Sequence, residues 1–226
     1  MAISIKNTSQ DLCLDGVKLL VYGQAGAGKT TLLPSLPKPL IISAEGGLLS
    51  ILGSDTPYIE IGSKDELLEV YGFLKSPAGA EYQSVALDSI SEIAEVVLAS
   101  EKKASKDPRK AYGEMQDVMT NIVRAFRDLK GKHVVFTAKL EKAADEMGRV
   151  SYAPSMPGTK LGAALPYFFD EVLAMRVEKG EDGKPAHALM CNSDGLWAAK
   201  DRSGRLSAWE QPDLGAIISK ITGKVA

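Results

Sequence analysis

The sequence predicts an α/β fold: a mostly parallel central sheet flanked by helices, with an antiparallel C-terminal extension. Three observations predict it. Short apolar runs recur at 17–22, 39–44, 85–88 and 133–138, and stretches with helical spacing of apolar residues separate them. The first run leads directly into the glycine-rich segment Gly23-Gln24-Ala25-Gly26-Ala27-Gly28-Lys29-Thr30. The last third then changes to strand-like pieces divided by glycine-bearing turns. Alternating helices and fully apolar strands argue for a parallel sheet covered on both faces.

The elements follow in order. Residues 17–22 form the first strand, and Lys29 to Leu36 a helix kept short by Pro34 and Pro37. Residues 39–44 are the second core strand, and Tyr58 to Ile61 is a further strand. Lys64 to Lys75 places Leu67, Leu68, Tyr71 and Leu74 at helical spacing. Val85-Ala86-Leu87-Asp88 is a strand ending in a carboxylate, followed by an amphipathic helix from Ser91 to Lys103. The basic segment Lys102 to Lys110, interrupted by Pro108, reads as a loop. Tyr112 to Leu129 carries a long apolar face, and His133 to Ala138 is the next strand. Glu141 to Gly158 lacks a sustained period and reads as a long loop. Phe168 to Val177, Ala186 to Cys191 and Leu196 to Lys200 read as the antiparallel extension, and Asp213 to Ile221 as a terminal helix. Neither linker nor repeat justifies a cut, so 1–226 reads as one domain.

Composition narrows the class. A hydrophobic fraction of 45% and a charged fraction of 25% fit a globular chain. The net charge of −2 gives no global attraction to nucleic acid, so polyanion binding requires a local patch or assembled subunits. Cys13 and Cys191 are distant from each other and read as single thiols in a reducing compartment. With no signal-like segment and no apolar run approaching a membrane span, a cytoplasmic location is expected.

The glycine-rich run is a complete P-loop. Gly23, Gly26 and Gly28 allow backbone N–H groups of Gln24, Ala25 and Ala27 to curve around anionic oxygens. Lys29 is expected to reach the β- and γ-phosphates of ATP, the Thr30 hydroxyl to ligate Mg²⁺, and Thr31 to complete the cradle. Asp88 is the expected partner of Thr30 in the Mg²⁺ shell. Ser89 follows it, where many P-loop ATPases place a water-polarising Glu. Glu45, at the end of the neighbouring predicted strand, can fill that role; a solvated turn carboxylate is the bland alternative. Thr137 and Lys139 end a strand expected between those of the P-loop and Asp88, a position from which to sense the γ-phosphate. His133 begins that strand and reads as structural, and His187 carries no functional signal. Lys200 and Arg202 flank a tight turn and could neutralise phosphate charge on a neighbouring subunit's nucleotide, with a solvated turn as the alternative and Arg176 as another candidate.

These motifs, together with Ile41-Ile42-Ser43-Ala44-Glu45-Gly46-Gly47, resemble the RecA/RadA superfamily, and within it the phage-encoded nucleotide-binding proteins of the single-strand annealing type. The resemblance covers roughly residues 15 to 205. It implies a RecA-like P-loop NTPase core, Glu45 as general base or water activator, and Asp88 as the Mg²⁺-associated carboxylate. Lys139 stands where that family has a Gln or His coupling nucleotide to a DNA-binding loop. The 141–158 segment would match that loop, with Lys142 and Arg149 on phosphates and Tyr152 stacking on a base. Lys200 and Arg202 resemble cations that reach across a subunit interface. The implied partners are single-stranded DNA, a single-strand DNA-binding protein and further copies of the chain in a ring or filament, in a host cytoplasm if phage-encoded, with no membrane. The 226 residues offer no counterpart to the accessory domains of cellular recombinases, which suits annealing better than strand exchange. Helicase loading or packaging is the alternative enzymatic reading, and a non-hydrolysing nucleotide switch a third.

Overall fold

A computed structural model describes residues 15–105, 107–180 and 183–223. Six strands run parallel: β1 (Lys18–Gly23), β2 (Pro39–Ser43), β3 (Tyr58–Glu60), β4 (Ser84–Asp88), β5 (His133–Ala144) and β7 (Glu171–Lys179), in the spatial order β7-β1-β5-β4-β2-β3. Strands β8 (Pro185–Met190) and β10 (Trp209–Glu210) extend the β7 side in antiparallel fashion. β9 (Lys200–Asp201) pairs with the start of β7, and β6 (Val150–Pro154) pairs with the far half of β5.

The apolar runs are continuous because both sheet faces are covered. Side chains alternate between the faces along each strand. Leu20, Tyr22, Ile42, Leu87 and Phe136 face α1 (Lys64–Lys75), α2 (Ile90–Ala104) and α3 (Pro108–Arg127). Leu19, Val21, Ile41, Ala86 and Val135 face the opposite side, against Leu32, Leu33 and the buried residues of α5 (Leu214–Thr222). Alternation thus sorts one contiguous run into two cores.

Several expected elements need correction. The helix after the P-loop is a 3-10 turn, Thr30–Ser35, because Pro34 lies inside it and has no N–H to donate. The basic loop expected over 102–110 shrinks to a short break between α2 and α3. Asp107 caps α3, its Oδ1 accepting the Arg109 N–H at 2.9 Å, and Pro108 occupies the first turn, where a missing N–H costs nothing. The long loop over 141–158 is largely a β-hairpin of β5 and β6. At its tip the Asp145 carboxylate accepts the N–H groups of Met147 and Arg149, each at 2.9 Å, and Arg149 Nε at 2.8 Å. After α4 (Thr159–Ala164), β7 joins β1 in parallel, so the antiparallel extension begins only with β8. Residues 196–199 lie outside the named strands; they approach β6 through Tyr152, whose N–H donates to Leu196 O at 2.7 Å.

Candidate nucleotide site

The C-terminal ends of the parallel strands converge at one edge of the sheet. Register aligns Gly23 of β1 with Lys139 of β5 and with Met175 of β7, and Ser43 of β2 with Asp88 of β4. The P-loop leaves this edge at Gly23, where a Cβ would come within 2.8 Å of Met175 O, so close strand packing demands glycine. Gly26 and Gly28 have φ of +75° and +95°, a region other residues rarely adopt. A Cβ on Gly26 would meet nothing within 4 Å, so it is the backbone angle and not crowding that calls for glycine there. Gln24, Ala25 and Thr31 are exposed around it, while Ala27 is buried.

Lys29 lies folded over its own loop, its ammonium donating to Gly23 O and Gln24 O, both at 2.9 Å. Burial lowers its pKa, and the negative charges of Glu45 and Asp88 oppose that shift. Thr30 Oγ1 donates to Asp88 Oδ2 at 2.8 Å, and Thr137 donates to the other carboxylate oxygen. Asp88 is buried; desolvation raises its pKa, and the two threonine hydrogen bonds work against the rise. The Asp88–Ser89 peptide is cis.

Glu45 is exposed, and its carboxylate is held by the buried Ser89 hydroxyl, which donates to Oε1. The two strand-end carboxylates are therefore linked through consecutive residues, Asp88 and Ser89. Lys139 is exposed and forms an ion pair with Glu92 of α2. Its backbone N–H donates to Ser91 Oγ at 2.9 Å, and that hydroxyl donates to Ser155 O at 2.7 Å beyond β6. The hairpin is thereby bound to the same edge as the P-loop.

Lys29, Thr30, Glu45, Asp88, Thr137 and Lys139 are thus brought together. Lys200 and Arg202 are not. They lie at the opposite edge, where β9 meets the N-terminal end of β7. Lys200 donates to the carbonyls of Pro166 and Phe169, at 2.8 and 2.5 Å, and Arg202 pairs with Asp170 at 3.0 Å. Neither can touch the nucleotide of its own chain. Arg176 follows Met175 at the P-loop edge and lies 4.3 Å from the Trp197 ring centroid and 5.7 Å from that of Trp209. Tyr152 is stacked on Trp197 at 4.3 Å, so one ring face is already occupied, whereas Lys142 and Arg149 are exposed on the hairpin.

Three groups at this edge carry no functional reading in the sequence. Ser89 stands out there only for not being a glutamate; a hydroxyl directly after the strand-ending Asp is the available signal. Glu92 has none. His187 Nδ1 lies 3.0 Å from Ala27 O of the P-loop, a contact 160 positions apart that no local pattern announces. His133 behaves as structural, Nδ1 accepting the Val17 N–H at 3.1 Å.

The donor chemistry suits Mg²⁺. Thr30 and Asp88 present hard oxygens beside the P-loop, and among the described residues no group of three or more His, Cys, Asp or Glu could cage a metal. A site with so few protein ligands matches an ion that keeps phosphate oxygens and water in its shell. Cys191 is buried, with its thiol pKa pushed up to about 12, and is unreactive; Cys13 lies outside the described residues. Among the described residues no helix is long and apolar enough to cross a membrane.

No curated protein matches the chain in a sequence comparison. A protein-family model described as an AAA domain matches residues 15–203, the stretch that holds the P-loop, both carboxylates and the hairpin. With most of the 226 residues matched, the chain belongs to the AAA domain family and is a nucleotide-hydrolysing P-loop ATPase domain.

Proposed function

We propose that this ATPase hydrolyses ATP to ADP and phosphate with Mg²⁺ and uses the cycle to bind and anneal single-stranded DNA in phage recombination. The observation that carries the reading is the meeting of three parts at one sheet edge. They are the Thr30–Asp88 pair, Glu45 held by Ser89, and a hairpin that continues the very strand carrying Thr137 and Lys139.

Chemistry follows from what these residues can do. Lys29 exchanges two loop carbonyls for the β- and γ-phosphate oxygens, a stronger pairing because both partners are charged. Thr30 and Asp88 would hold Mg²⁺, which supplies positive charge against the phosphate oxygens when bound. Glu45 accepts a hydrogen bond from water and turns its lone pair toward the γ-phosphorus, and Ser89 fixes the carboxylate rotamer for that task. Lys139 reports the change to the hairpin through Ser91 and Ser155. Lys142 and Arg149 there offer cations to DNA phosphates. Arg202, exposed beside Asp170, serves a neighbouring protomer's nucleotide, which requires a homo-oligomeric ring or filament, while Lys200 stays on its two carbonyls and braces that turn.

The test is single-stranded DNA affinity and annealing rate with and without a non-hydrolysable ATP analogue. The reading predicts at least about tenfold tighter binding with the analogue. It also predicts that Lys142→Ala with Arg149→Ala flattens the log-affinity against log-salt slope by about 1.4, or about 0.7 for each phosphate left without its cation. Equal affinity in both nucleotide states contradicts it.

A further inference from the structure

β2 ends at Ser43, whose side chain is 1% exposed. Its backbone is paired: its carbonyl accepts the Ile61 N–H, and the next N–H, of Ala44, donates to Asp88 O, both at 2.9 Å. Its hydroxyl is not. Among the described residues Ser43 Oγ is the buried side-chain polar atom with no hydrogen-bond partner. A hydroxyl taken out of water without a partner opposes folding, and alanine would fill this strand position at less cost. The group therefore answers to something other than packing.

Its position says to what. Ile41, two residues earlier, lies in the core that includes Leu32 and Leu33 of the turn after the P-loop. Alternation puts Ser43 on the same face. Asp88, its register partner on β4, is on that face too, as its bond to Thr30 requires. Neighbouring strands lie about 4.8 Å apart, so the two residues are neighbours on that face. Thr30 now supplies a donor to Asp88 Oδ2; once that hydroxyl turns to a cation, the oxygen needs another.

We infer that Ser43 is a positioning residue of the nucleotide site, whose hydroxyl finds its partner in the cation-loaded state by bonding Asp88 or a water held on it. The inference rests on the assignment of Asp88 to the cation. Mn²⁺ is the probe, titrated into the full chain with saturating ADP and followed by electron paramagnetic resonance. Ser43→Ala is expected to weaken Mn²⁺ binding about fivefold, the effect of one hydrogen bond. Its metal-free melting temperature should be unchanged or higher, and its ADP affinity in chelator unchanged. Ser43→Thr should restore Mn²⁺ binding. Wild-type Mn²⁺ affinity in Ser43→Ala overturns the inference, as does a lowered metal-free melting temperature, which marks a structural role. Asp88→Asn separates the two layers. If it too leaves Mn²⁺ affinity intact, the cation assignment itself fails; if it alone weakens binding, only the role of Ser43 does.

Discussion

The two ends of the sheet use the same side chains in opposite ways. At the N-terminal ends of the strands, lysines tie together carbonyls from separate segments of the fold. Lys18 donates to the carbonyls of Asp15, Leu129 and Lys132, Lys132 to those of Gly79 and Tyr82, and Lys200 to those of Pro166 and Phe169. At the C-terminal ends, Lys29 clasps its own loop, Lys139 meets Glu92 at the surface, and among the described residues the Ser43 hydroxyl has no partner. A lysine that closes the chain cannot be released without leaving buried carbonyls unpaired. One that closes a glycine loop can be released when the loop is filled. Under the proposed function, the position of a polar group on the parallel sheet thus separates a structural clasp from a ligand contact.

Substitutions sharpen this contrast. Lys29→Ala has the largest expected effect on ligand: ATP affinity falls about 100-fold, near 3 kcal/mol, by calorimetric titration, with the melting temperature nearly unchanged. Lys132→Met has the reverse signature. It loses two bonds from a charged donor, one to a buried and one to a partly buried carbonyl, so chemical denaturation should show about 2 kcal/mol of destabilisation, while the folded protein binds ATP normally. A large loss of ATP affinity in Lys132→Met would break the division between the edges.

The N-terminal edge should also titrate. Glu171 is fully buried and hydrogen-bonded to Asp201, and burial first, then that neighbour, raises its pKa from 4.5 to about 7. Between these values the folded chain holds a proton that the unfolded chain has released. Stability contributed there is present below about pH 4.5 and is lost as pH rises toward 7. Glu171→Gln should flatten that slope in urea denaturation across the window. The smallest effect belongs to Lys139→Gln, whose half-exposed ion pair with Glu92 should change stability by less than about 1 kcal/mol.

Much of the nucleotide edge is legible in the sequence because its signals are local. The P-loop glycines, the strand-ending Asp88, Glu45 just past the end of β2, and the limits of α1 are all written in a few adjacent residues. What escapes depends on distant or backbone interactions. The hairpin strand 141–144 is exposed and mixed in charge; it is held by pairing with β6, so no apolar period marks it. The direction of β7 is set by the path of α4 and the turn after it, which composition does not encode. Asp107-Pro108 is a readable helix start that looks like a breaker, since proline interrupts a helix only beyond its first turn. The stack of Tyr152 on Trp197 joins residues brought together only by the assembled sheet.

Under the proposed function, Glu45, steadied by Ser89, acts on the water of hydrolysis. Single-turnover ATP cleavage by Glu45→Gln, measured beside ATP affinity, tests it most directly. Cleavage should slow about 100-fold or more, with affinity changed by no more than about twofold. Cleavage at the wild-type rate with ATP fully bound would contradict it.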